Sequence, residues 1–288
     1  MLNFKTAEIA QKYEQLYNVT MQLWPTGYIG YYINTNYGKT WIHECGSADN
    51  PTLLLLHGMS GSSTMWYPNV EGLAQHFYVL APDIIGQAGK SVSKTPLRSA
   101  SDLDKWLDEV ICELGITHIY LAGSSFGGWL ATRYTLYKPH NVGRLALLDP
   151  NATLAPMTIE FLLRMYAMLL LPFPKAGDSF TQWMGQGYQM NEAFLNQMEV
   201  GIKDYAPLKK QKTILPGKIS DIDLQKIDVP VLTLIGEKSV IYNPQCALKR
   251  AKTVFKHGAA FIVPECGHSM NMEVPKEIND FLIEFYFS

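Results

Sequence analysis

A chain of 288 residues is long enough to bury a substantial core, as one large domain or as one domain carrying an insertion. Hydrophobic residues make up 47% and charged residues 17%, without long polar or low-complexity tracts, which excludes a disordered or fibrous protein. Lysine plus arginine (24) nearly balances aspartate plus glutamate (26) and no basic run stands out, so the chain carries no electrostatic footprint for a nucleic-acid partner.

The opening stretch, "MLNFKTAEIAQKYEQLY", is charged and amphipathic and lacks the apolar run of a signal peptide. "YIGYYINT" and "KTWIHEC" have the pattern of a first strand pair about a turn at Asn36–Gly38. "TLLLLHG" is a continuous apolar run ended by glycine, the pattern of a buried central strand. "FYVLAPD", "HIYLAGS", "RLALLDP", "VPVLTLIGE" and "AAFIVPE" repeat it. Helical patterns fall between these runs, notably at Ser101–Leu114, Phe126–Tyr137, Pro244–Phe255 and Pro275–Phe285. Buried strands alternating with helices predict an α/β fold with a mostly parallel central sheet flanked by helices.

That rhythm breaks between Asn151 and Lys226, where no buried strand is evident. The expected organisation is a core of residues 1–150 and 227–288 with a helical cap inserted at 151–226. Its longest apolar segment contains Arg164 and is too short to span a bilayer. Met157, Met165, Met168, Met184, Met190 and Met198 fall in the cap with Phe161, Phe173, Phe180, Trp183 and Phe194. Those that face the site would make an adaptable pocket for an uncharged acyl group. Cys45, Cys112, Cys246 and Cys266 are scattered, with no metal spacing, and are expected to be free thiols of a cytoplasmic protein. No sequence pattern points to a metal or a cofactor.

Chemistry gathers at the strand ends, where open parallel sheets bind ligands. Gly123-Ser124-Ser125-Phe126-Gly127 lies between a predicted strand and a predicted helix, and such a turn forces Ser125 into strained backbone between glycines that make room for it. His57-Gly58 ends another strand; the next amide, of Met59, is placed to pair with that of Phe126 as an oxyanion hole, with His57 bracing the loop. His268 follows the last predicted strand, in "FIVPECGHSMNMEVP", and is the histidine best placed to act as a base.

Together "HGMSGSS", "VLAPDIIGQAGKS", "GSSFGG", "VPVLTLIGE" and "PECGHSMNMEVP" closely resemble the α/β-hydrolase fold superfamily over almost the whole chain, with a cap between the sixth and seventh predicted strands. The resemblance implies Ser125 as nucleophile, His268 as general base, and the Met59 and Phe126 amides as oxyanion hole. In "PDIIGQAGKS" the second glycine of the family pattern, Gly89, comes one residue late, and Asp83 and Gly86 are taken as loop architecture.

The triad acid departs from the family pattern. The position that commonly carries it, in "LIGEKSVIYNP", is Ser239, which supplies no charge. Asp149 at the end of "RLALLDP" and Glu237 are the substitutes, and Asp149 is favoured because a strand-end carboxylate is held more rigidly. A serine nucleophile points to acyl transfer, hence to a carboxylesterase cleaving a small apolar ester. Hydrolysis of a carbon–carbon bond or a lactone by the same triad, and ligand binding without catalysis, are the alternatives. A carboxylate paired with His268 separates enzyme from binder.

Overall fold

The computed structural model describes residues 2–25, 27–170 and 176–288. Its strands are β1 Ile29–Thr35, β2 Gly38–Cys45, β3 Thr52–Leu56, β4 Tyr78–Pro82, β5 Val92–Ser93, β6 Ile119–Ser124, β7 Val142–Leu148, β8 Val231–Gly236 and β9 Gly258–Val263. The helices are α1 Ala7–Met21, α2 Val70–Leu73, α3 Ala100–Glu113, α4 Phe126–Tyr137, α5 Ile159–Leu170, α6 Ala176–Met184, α7 Glu192–Asp204, α8 Asp221–Leu224, α9 Pro244–Val254, α10 Met270–Glu273 and α11 Pro275–Phe287. None is long and apolar enough to cross a membrane.

All nine strands join one sheet in the order β1-β2-β4-β3-β6-β7-β8-β9, with β5 beside β2. From β4 through β9 the neighbours run parallel, while β2 is antiparallel to β1, β4 and β5. The apolar runs of the sequence become strands buried on both faces. Leu53 and Leu55 pack into the core on one face and Leu54 and Leu56 into that on the other, all with 0% exposure. The α/β architecture expected from the alternation is the one observed.

β5 escapes sequence reasoning because two residues carry no periodicity. It pairs with Gly38 and Lys39, and a Cβ on Gly38 would sit 2.0 Å from the Val92 carbonyl oxygen, so only glycine admits the neighbour. Between β7 and β8 the described residues contain the helices α5 to α8 and no named strand. α1 packs against α7 of this stretch. Gln197 of α7 donates to the Tyr13 hydroxyl (3.2 Å) and to Ser62 Oγ (2.8 Å), tying α1, α7 and the loop after β3 together.

Candidate active site

Ser125 sits between β6 and α4 with φ 54° and ψ −114°, a conformation that costs on the order of 1–3 kcal/mol and persists because its surroundings fix it. Its amide donates to the Leu148 carbonyl (2.9 Å), and its own carbonyl accepts from the amides of Trp129 and Asn151 (3.1 Å each). The flanking glycines are required by space. A Cβ on Gly123 would lie 2.3 Å from the Gly127 carbonyl carbon, and one on Gly127 would lie 2.1 Å from the Leu56 carbonyl oxygen.

His268, in the loop between β9 and α10, is 2.9 Å from Ser125 Oγ through Nε2 and 2.6 Å from Asp149 Oδ2 through Nδ1. A carboxylate only accepts, so the ring proton is on Nδ1 and Nε2 is free to accept from the serine hydroxyl. Glu273 grips this loop from both sides of the histidine, accepting from Gly267 N (2.6 Å) and Ser269 N (2.9 Å). Burial pushes the Glu273 carboxyl above its usual range against the pull of those two amides. The His268 amide donates to the Met184 carbonyl at the end of α6 (3.0 Å), which joins the helical stretch to the site.

Asp149 follows β7 with φ 45° and is completely buried. Oδ2 accepts from His268 and from Ser239 Oγ (2.6 Å); Oδ1 accepts from the Tyr242 hydroxyl (2.6 Å) and weakly from Gly236 N (3.4 Å). These donors replace the water that a buried carboxylate loses. The serine in the expected acid position is thus a donor to the Asp149 carboxylate. Tyr242 carries no sequence signal, and burial beside Asp149 pushes its phenol far above the usual value, so it remains a donor. Glu237 is not brought to His268: its Oε2 accepts from the Glu265 amide (2.9 Å) at an exposed turn.

His57 is fully buried, accepts from Ile84 N through Nε2 (2.8 Å) and donates from Nδ1 to the Gly58 carbonyl (2.8 Å). Burial holds its pKa below the usual histidine value, so it stays neutral and braces the loop. Gly58 runs alongside Ser125; a Cβ there would lie 3.6 Å from the serine Cβ. Among the described residues the amides of Met59 and Phe126 have no hydrogen-bond partner. Sequence reasoning missed Gln87, whose Oε1 accepts from Ser60 N (2.8 Å) next to Met59. Gln87 lies in the stretch where Gly89 comes late. Asp83 accepts there from Ser63 N, Lys90 N and the Tyr17 hydroxyl, a structural role.

Ser63, His43 and Asp83 form a second Ser–His–Asp group with its protons reversed. Trp41 Nε1 donates to His43 Nε2 (3.0 Å), which occupies the lone pair that a base would use. The remaining proton, on Nδ1, faces Ser63 Oγ (3.0 Å), and the serine donates to Asp83 (2.6 Å). Burial lowers His43 to about 4 and keeps it neutral. This group is a buried brace and touches neither Ser125 nor its cavity.

A cavity of about 130 Å³ opens on Ser125 and His268. Nine of the chain's 12 methionines line it, including all six expected from the helical stretch, with Phe161, Phe180 and Phe194. Phe173 lies outside the described residues. Among the described residues of the lining, His268 is the sole ionisable side chain apart from the Tyr166 phenol. The arrangement can activate a hydroxyl against an uncharged substrate and hold an apolar group beside it.

Residues 53–281 match the alpha/beta hydrolase family. The chain is similar to carboxylesterase YbfK of Bacillus subtilis (strain 168), 31% identical over 289 residues, covering 99% of this chain and 96% of that protein. It is also similar to the uncharacterized carboxylesterase nap of the same organism, 32% identical over 96% of this chain and 92% of that protein. Among solved structures, naproxen esterase (carboxylesterase NP) from Bacillus subtilis superposes with a TM-score of 0.92 at 30% identity, over 98% of this chain and 99% of that one.

Proposed function

Because this chain belongs to the α/β hydrolase family, we propose that it is a carboxylesterase that cleaves small, largely apolar esters through an acyl-enzyme. The observation that carries this reading is the unbroken hydrogen-bonded chain Ser125–His268–Asp149 at the floor of an apolar cavity. Ser125 Oγ attacks the ester carbonyl as His268 Nε2 takes its proton, and Asp149 stabilises the imidazolium that forms. The Met59 and Phe126 amides, free of other partners, receive the oxyanion. His268 then protonates the leaving alcohol, and in the second half it activates the water that releases the acid. The stretch 151–226 serves as the cap that closes apolar side chains over the ester.

The names of the similar proteins support ester cleavage. The pairing of His268 with Asp149 speaks against a binder without catalysis. All four cysteines are free, which supports a reducing, cytoplasmic setting. Labelling with a fluorophosphonate probe, followed by mass-spectrometric mapping, tests the nucleophile. Capture is expected at Ser125 and is expected to vanish in Ser125→Ala, which should keep the wild-type circular dichroism. Capture at Ser63, or none by folded protein while a control hydrolase reacts, would overturn the reading.

A further inference from the structure

One side of α5 lines the cavity at Ser125, through Phe161, Leu162 and Met165, and the other side is apolar as well. There Ile159, Leu163 and Tyr166 follow the i, i+4, i+7 spacing of a helix stripe and are 77%, 65% and 49% exposed. Among the described residues Ile159 and Leu163 take no part in the cavity lining. Tyr166 does, and so does Leu215, which is 46% exposed, so apolar surface runs from the stripe to the mouth of the site. Single exposed apolar side chains are ordinary, whereas a stripe of them beside a site mouth marks a contact surface. The segment that carries the stripe is too short to cross a bilayer, but lying flat on one needs only an apolar face.

Charge lies beside this surface. Lys209, Lys210, Lys212 and Lys218 are spread over the stretch 207–218, which holds no acidic residue. Leu215 and Pro216 of the same stretch line the cavity with α5, and Lys212 and Leu215 share a neighbouring recess with Met165 and Met168 of that helix. The Lys212 amide donates to the Leu97 carbonyl (3.0 Å), which brings Arg98 alongside. All five cations are exposed, and among the described residues none takes part in an ion pair. Arg164 of α5, by contrast, is paired with Glu160 (2.9 Å) and adds no net charge. In a chain of net charge −2 this is a local reversal of sign. A bilayer with anionic headgroups complements both features at once, with charge for the cations at headgroup level and acyl chains for the stripe just below it.

We propose that the outer face of α5 and the lysine stretch beside it form a docking surface for anionic lipid, which sets the mouth of the Ser125 cavity against the bilayer. The test is co-sedimentation with vesicles of phosphatidylcholine, alone or mixed with phosphatidylglycerol, and it reads binding without turnover, so it stands apart from the esterase reading. The wild type is expected to partition onto the mixed vesicles at least about tenfold more strongly than onto phosphatidylcholine, and to lose that preference in high salt. Combining Lys209→Gln, Lys210→Gln and Lys218→Gln is expected to cut binding to the mixed vesicles about tenfold. Combining Ile159→Ser with Leu163→Ser, neither of which touches the cavity, is expected to abolish it. Wild-type thermal melts in both variants show that the fold is kept. Equal binding to the two kinds of vesicle, binding to neither, or binding that survives both sets of substitutions would overturn the proposal. A dimer in sedimentation equilibrium that Ile159→Ser with Leu163→Ser dissociates would assign the stripe to a second copy of the chain and overturn it too.

Discussion

Ser239 occupies the position where a triad carboxylate is common, and here it donates to the carboxylate that arrives from β7. Replacing Asp149 by asparagine leaves the shape and removes the charge and the tautomer control, so kcat is expected to fall on the order of 10³-fold or more. Ser239→Ala withdraws one of the donors that hold Asp149 and is expected to lower kcat roughly tenfold, with KM little changed. Glu237→Gln should stay within about twofold, because Glu237 holds only the Glu265 amide at an exposed turn. Steady-state kinetics on one chromogenic ester ranks the three. A larger loss for Glu237→Gln than for Asp149→Asn would reverse the assignment of the acid.

The turn from β6 into α4 depends on the packing of whole elements. α4 begins so close to β3 that Gly127 touches the Leu56 backbone, and this contact sets where the Ser125 hydroxyl points. Gly127→Ala therefore has to push a helix off the sheet, and a loss of about 4 kcal/mol or more is expected, together with loss of fluorophosphonate capture. Gly217→Ala is the matched control, since nothing lies within 4 Å of a Cβ there, and its effect should stay within about 0.5 kcal/mol. Thermal melts of the two variants separate crowding at the turn from any general cost of replacing glycine. Equal melting shifts would show that the close approach does not matter.

Across the fold, neutral histidines are built into the interior. His43 ties β2 to the segment after β3, and His57 ties β3 to the segment after β4; burial lowers both pKa values. A histidine with a lower pKa in the folded chain than in the unfolded one gives stability that is complete above about pH 6.5 and is lost as pH falls through the folded value. For His43 the window runs from 6.5 to about 4, and roughly 3 kcal/mol is expected to disappear across it. Urea denaturation at neutral pH and near about pH 5 should show the decline. His43→Gln, less stable at neutral pH, should lose less over the same interval. An equal loss in the variant would mean that other groups carry the acid sensitivity.

Much of this was legible along the chain because its signals are local. An apolar run ended by glycine marks a buried strand, and Gly-x-Ser-x-Gly between a strand and a helix marks the sharp turn at Ser125. β5 was not legible, being two residues that exist as a strand only because β2 has a glycine opposite. The donors on Asp149 were not legible either. Ser239 and Tyr242 lie 90 and 93 residues from it in sequence, and only the adjacency of β7 and β8 makes them neighbours. The α/β class, the helical insertion and the candidate pair Ser125 and His268 follow from the order of residues alone, since each depends on side chains within one turn or one strand. The pairing of Asp149 with His268, the reversed protons of the Ser63 group and the apolar cavity at Ser125 depend on which strands and helices pack side by side. Distances of a few ångströms between remote segments fix them, and no local pattern encodes those distances.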